Sequence, residues 1–210
     1  MKKEPFMFKM TLIILAVIII FGVTPAFAIS ATFYYSDGPW SGKVIDAETK
    51  TPIEGAVVLA VWQKVYATPA GDNSYFFDAV EVLTDKEGKF IISKFKAVNI
   101  IPIIRRIEGP IFTIYKPGYT AFSDSAYNYF NKYSPNSPLR TDRDTIAEFF
   151  KKGVVVELFK LKTREERIEG LHEALPLSEV PDDKMSALLN LINIERKNLG
   201  LEPIHMKTGR

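Results

Sequence analysis

Between residues 40 and 122 apolar side chains alternate with polar ones in short runs, and Gly, Pro, Asp and Asn interrupt the runs. That is the pattern of strands joined by turns. It predicts strands over 42–47, 55–64, 75–84, 89–93 and 110–116, and a last one over 154–161. The segment 55–64 is apolar on both faces: Val57, Leu59 and Val61 line one, Ala56, Val58, Ala60 and Trp62 the other. A sandwich buries only one face of each strand. The second face therefore requires a cover, from this chain or a partner.

The turns are equally readable. Residues 29–39 form a lead-in closed by Asp37-Gly38-Pro39, and 67–74 is polar enough to read as a loop. Asp85-Lys86-Glu87-Gly88 predicts a tight hairpin turn, Asp bonding back to the backbone and Gly taking a positive φ. Gly118 after Pro117 suits a type II turn. The stretch 98–107 is ambiguous: Pro102 breaks it, and Arg105-Arg106 at its end reads as a solvated loop.

After residue 122 the pattern changes. Ser, Asn, Asp, Tyr and Pro dominate 123–144, longer than a hairpin loop requires. A short helix is predicted at 145–152, with Asp144 as its cap and Gly153 as its end, so the insertion covers about 123–153. From 162 to 210 the period becomes helical. Thr163 and Glu166 have capping-box spacing, opening a helix that ends near 174 before Pro176. Pro181-Asp182-Asp183 opens a second, whose stripe is Met185, Leu188, Leu189 and Ile192, and Gly200 closes it. The expected fold is mainly β: an antiparallel β-sandwich over 40–161, a Tyr-rich insertion, and two C-terminal α-helices lying on the uncovered sheet face.

Residues 1–28 read as a signal peptide. Lys2, Lys3 and Lys9 precede an aliphatic run over 12–21, Pro25 follows, and Ala26-Phe27-Ala28 offers small residues at a cleavage site. Cleavage after Ala28 is the expectation, which makes the protein exported, periplasmic or extracellular. The alternative is a retained anchor, because no charge occurs from Met10 to Ser36. Contact with a membrane is expected only in that case.

Charge and composition narrow the chemistry. The formal net charge is +2, with 27 basic and 25 acidic residues, and the excess belongs to residues 1–28. Nothing in it suggests nucleic acid as a partner. The chain has no cysteine and two histidines. His172-Glu173 lacks the second His that a zinc helix needs four residues on, where Pro176 stands. No nucleophile elbow, phosphate loop or dinucleotide fingerprint occurs. No catalytic residue, metal ligand or cofactor is assigned. The candidate binding residues are aromatic, Tyr119, Tyr127, Tyr129, Phe130 and Tyr133, joined by Arg105 and Arg106 for an anionic group; the alternative for the aromatics, and the favoured one, is that they pack down over the sandwich.

Three segments carry a resemblance. The run Ser41-Gly42-Lys43-Val44-Ile45-Asp46 through Pro52-Ile53-Glu54-Gly55-Ala56-Val57-Val58 resembles the opening of carboxypeptidase regulatory-like domains. Leu83-Thr84-Asp85-Lys86-Glu87-Gly88-Lys89-Phe90 is similar to their central hairpin, and Tyr115-Lys116-Pro117-Gly118-Tyr119 to their closing element. The resemblance implies a prealbumin-like (transthyretin-like) sandwich. In it Gly42, Gly55, Asp85, Gly88, Pro117 and Gly118 serve backbone geometry, and no catalytic position is carried over. The function expected is a non-enzymatic binding or scaffolding protein of the cell envelope, its partner an envelope protein or carbohydrate. A membrane-anchored structural subunit and a carboxylate-based envelope hydrolase are the alternatives.

Overall fold

The computed structural model describes residues 33–100, 105–123, 143–176 and 179–205, all within one unit spanning 32–210. The N-terminal segment 1–28 and the aromatic residues Tyr127, Tyr129, Phe130 and Tyr133 lie outside the described residues. Eight strands are described: β1 Tyr34–Asp37, β2 Trp40–Asp46, β3 Val57–Thr68, β4 Gly71–Leu83, β5 Lys89–Ile92, β6 Phe95–Val98, β7 Arg105–Tyr115 and β8 Val154–Leu158. Three α-helices accompany them: α1 Arg143–Lys151, α2 Arg164–Ala174 and α3 Ser186–Asn198. The molecule is mainly β, as the alternation predicts.

The strands form two three-stranded sheets, β5–β2–β8 and β4–β3–β7, and a two-stranded ribbon, β1–β6. Trp40, Val44, Phe90, Ile92, Val156 and Leu158 of the first sheet share a core with Ala56, Val58, Ala60, Trp62, Phe112 and Ile114 of the second. α1 adds Ile146, Ala147 and Phe150, and the Phe150 ring stacks on Phe112 at 4.2 Å between centroids. The other face of β3 is covered as its sequence demands. Val57, Leu59 and Val61 pack with Leu171 and Ala174 of α2 and with Met185, Leu188, Leu189 and Ile192 beside or on α3. Both faces of β3 are thus buried, by two different layers.

Several expectations are corrected. The segment 67–74 is not a loop: β3 and β4 continue through it to a two-residue turn, Pro69-Ala70, closed by Thr68 opposite Gly71. Its side chains are polar because this hairpin runs past the sandwich into solvent. The lead-in holds a strand, β1, and the ambiguous stretch 98–107 holds the end of β6 and the start of β7, so Arg105 and Arg106 stand in a strand rather than a loop. The turn at Asp85–Gly88 has the predicted chemistry. Asp85 Oδ1 accepts from Lys89 N at 2.7 Å, and Gly88 has φ +73. The strands it joins do not pair as a hairpin, because β4 belongs to one sheet and β5 to the other. β8 runs parallel to β2, whereas the other ladders among the described residues are antiparallel. Asp144 lies inside α1, not before it. The last helix begins at Ser186, since 182–184 form a separate 3-10 turn.

Where the helical signals are strong they hold. Thr163 caps α2 with the reciprocal Glu166 bond of a capping box. α3 ends in paired bonds from Gly200 N to Lys197 O and Leu201 N to Arg196 O, with Gly200 at φ +69.

Candidate interaction surface

The surface is built around Trp62. Beside it, β4 carries one extra residue, Phe77, and on β7 two residues, Gly109 and Pro110, stand opposite Trp62 alone. Bulges on both neighbours bend and twist the sheet at this point. Beyond it β3, β4 and the start of β7 project as a three-stranded arm. The ribbon lies along the arm's inner side. Phe95 of β6 stacks on Trp62 at 4.0 Å and meets Phe77 and Tyr35 edge-on at 6.1 Å each. The Tyr35 hydroxyl donates to Gly109 O at 2.9 Å, and Asn99 Nδ2 to Arg105 O at 2.6 Å. Burial, with Asp37 second, pushes the Tyr35 hydroxyl up to about 12. Lys151 of α1 bonds Asp37 at 2.6 Å and fastens the ribbon's base.

What this end leaves uncovered is aromatic and aliphatic. Phe33, Tyr34, Tyr75, Val98 and Ile100 are all exposed, Val98 by 66%. Tyr34 and Val98 are cross-strand partners, so they share the ribbon's outer face with Ser36 and Lys96. On the arm Tyr75 meets Tyr66 edge-on at 5.5 Å, and Arg105 Nη1 reaches the Tyr66 hydroxyl at 3.4 Å. Arg106, on the other arm face, holds Asp72 at 2.6 Å and also binds Glu108. Those two bonds come first among the causes that hold its guanidinium above its ordinary value. Both carboxylates of the arm are therefore spoken for.

Tyr119 sits elsewhere. β7 spans about 30 Å from Arg105 to Tyr115, and Tyr119 follows the turn after its far end. Its hydroxyl donates to the buried Asp46 carboxylate at 3.0 Å, and burial followed by that bond pushes it up to about 12. Asp46 also accepts from Glu48 N and Thr49 N at 2.9 and 2.8 Å. The backbone N–H of Thr49 is the largest cause of its lowered pKa; burial opposes it, and Tyr119 and Glu48 assist. The predicted binding residues within the described part thus divide between two ends of the molecule.

The remaining buried charge is a helix lock. Glu195 of α3 is 1% exposed and takes Arg167 of α2 through two bonds of 2.7 Å, while Gly118 N donates to it at 3.2 Å. The Arg167 guanidinium is raised chiefly by Glu195. Glu81 of β4 caps α3 from outside, accepting from Ala187 N at 2.8 Å and Leu188 N at 3.0 Å. Sequence reasoning misses both devices, because their partners are 28 and 106 or 107 residues apart.

Among the described residues no group of three or more His, Asp or Glu side chains is placed to hold a metal ion, and no helix is long and apolar enough to cross a membrane. The chemistry on offer at the arm and ribbon is stacking, apolar contact and cationic attraction. No family model, curated protein or solved structure matches the chain.

Proposed function

We propose that this is an exported, non-enzymatic binding or scaffolding protein of the cell envelope, working through the arm and ribbon. One observation carries the reading: the large apolar side chains Phe33, Tyr34, Val98 and Ile100 are exposed on or beside the ribbon, and Tyr75 on the arm. Rigid aromatics contribute contact area at low entropic cost, which suits recognition. The deeply buried carboxylates Asp46 and Glu195 are used in folding, which supports a structural role for them. Export rests on the sequence of residues 1–28.

A photo-crosslinking residue at Tyr75, expressed in the native host, tests the reading. The expected result is a discrete cross-linked envelope species that the same residue at Asn190 on α3 does not give. Equal labelling at both positions, or none at Tyr75, contradicts it.

A further inference from the structure

We infer that the outer face of the β1–β6 ribbon rests on a lipid bilayer. The inference deepens the envelope reading above and depends on it.

Three observations converge. The face presents Tyr34 and Val98 beside Lys96, with exposed Ile100 beyond. Tyrosine, lysine and aliphatic side chains in one surface suit the boundary between headgroups and acyl chains. The charge is one-sided. Lys94 and Lys96 are exposed and form no ion pair among the described residues, while Asp37, the ribbon's acidic residue, is held by Lys151. Cations without competing carboxylates attract anionic headgroups. Finally, the chain is uncharged from Met10 to Ser36, so the apolar N-terminal run leads straight into β1. From Ala28 to Phe33 the backbone reaches at most about 17 Å. With the run retained as an anchor rather than cleaved after Ala28, the bilayer that holds it is within reach of this face. The exposed side chains then enter the interface by about 5–10 Å, as interfacial elements do.

A protein occupant is the rival, and the absence of cysteine makes the distinction clean. Single nitroxide labels are placed at Val98→Cys and, as control, at Ile194→Cys, an exposed apolar position (51%) on α3 in the opposite layer. The full chain is reconstituted into vesicles containing phosphatidylglycerol. The measurement compares label collisions with oxygen, which concentrates in lipid, and with a water-soluble nickel chelate. The expected oxygen-to-nickel ratio at position 98 is severalfold above that at 194, and Lys94→Glu with Lys96→Glu lowers it toward the control. Equal ratios at 98 and 194 overturn the inference. A label at 98 immobilised without oxygen enrichment assigns the face to protein and also overturns it. A C-terminal alkaline phosphatase fusion that stays inactive in the host sinks the envelope reading itself, separately from the depth ratio.

Discussion

Asp46 and Thr84 show how much of this fold is held by single polar side chains. Asp46 is buried, and its lowered pKa means the folded state prefers the carboxylate more than the unfolded chain does. Its stabilisation is present above the unfolded value, near 4, and is lost as pH falls through the lower folded one. Acid titration of stability should show this loss below the usual carboxylate range, and Asp46→Asn should flatten that part of the curve. Thr84 is buried, donates to Ile53 O at 2.7 Å and accepts from Ala56 N at 2.8 Å. Thr84→Val strands both groups and should cost about 1–3 kcal/mol in urea unfolding, whereas Thr84→Ser should recover most of it. The turn glycines differ in the same concrete way. A Cβ on Gly88 would stand 2.4 Å from Val44 O, while one on Gly118 meets nothing within 4 Å. Gly118→Ala should therefore lose only the left-handed penalty of about 1–2 kcal/mol, and Gly88→Ala distinctly more.

At the scale of elements, the helical layer is fastened by charge as well as by apolar packing. Glu195→Gln removes one member of a pair that is buried on the Glu side and partly open on the Arg167 side. A loss of about 2–3 kcal/mol is expected, below the figure for a fully buried pair because solvent reaches Arg167. Glu81→Ala should cost about 1–2 kcal/mol by uncapping α3, and amide exchange should rise first at Ala187 and Leu188. What was legible in the sequence at this scale follows from local physics. The two-sided apolar pattern of β3 implied a second covering layer, and the stripe on α3 named the residues that supply it. The capping box of α2 was readable because its two members are three residues apart. The arm was not, because a hairpin in solvent has no buried face to impose alternation, and 67–74 therefore looks like a loop. Neither the parallel β2–β8 pairing nor the division of β4 and β5 between sheets leaves a local trace.

Across the whole molecule, both faces of β3 are covered, one by the β5–β2–β8 sheet with α1 and the other by α2 and α3, while the arm and ribbon end keeps Phe33, Tyr34, Tyr75, Val98 and Ile100 in solvent; Leu83, Ile91, Val155 and Ile194 are exposed outside it. The aromatic emphasis of the sequence pointed to a binding surface, but among the described residues the exposed set is Phe33, Tyr34 and Tyr75, not Tyr119, which is tied to Asp46. Only three-dimensional placement separates those cases, since every one of these residues looks alike in a list of aromatics. If the arrangement is a division of labour, truncations in the two regions must act on different properties. Leu188→Ala, in the sealed layer, should cost about 2–5 kcal/mol of stability.

The most direct measurement is therefore a paired one on Tyr34→Ala combined with Val98→Ser: the urea unfolding free energy, and the recovery of envelope material cross-linked through a photo-reactive residue at Tyr75 in the native host. The expected result is stability within about 0.5 kcal/mol of the parent, as for surface positions, with cross-linked material largely lost. A stability loss as large as that of Leu188→Ala, or unchanged capture, would contradict the assignment of this end to binding.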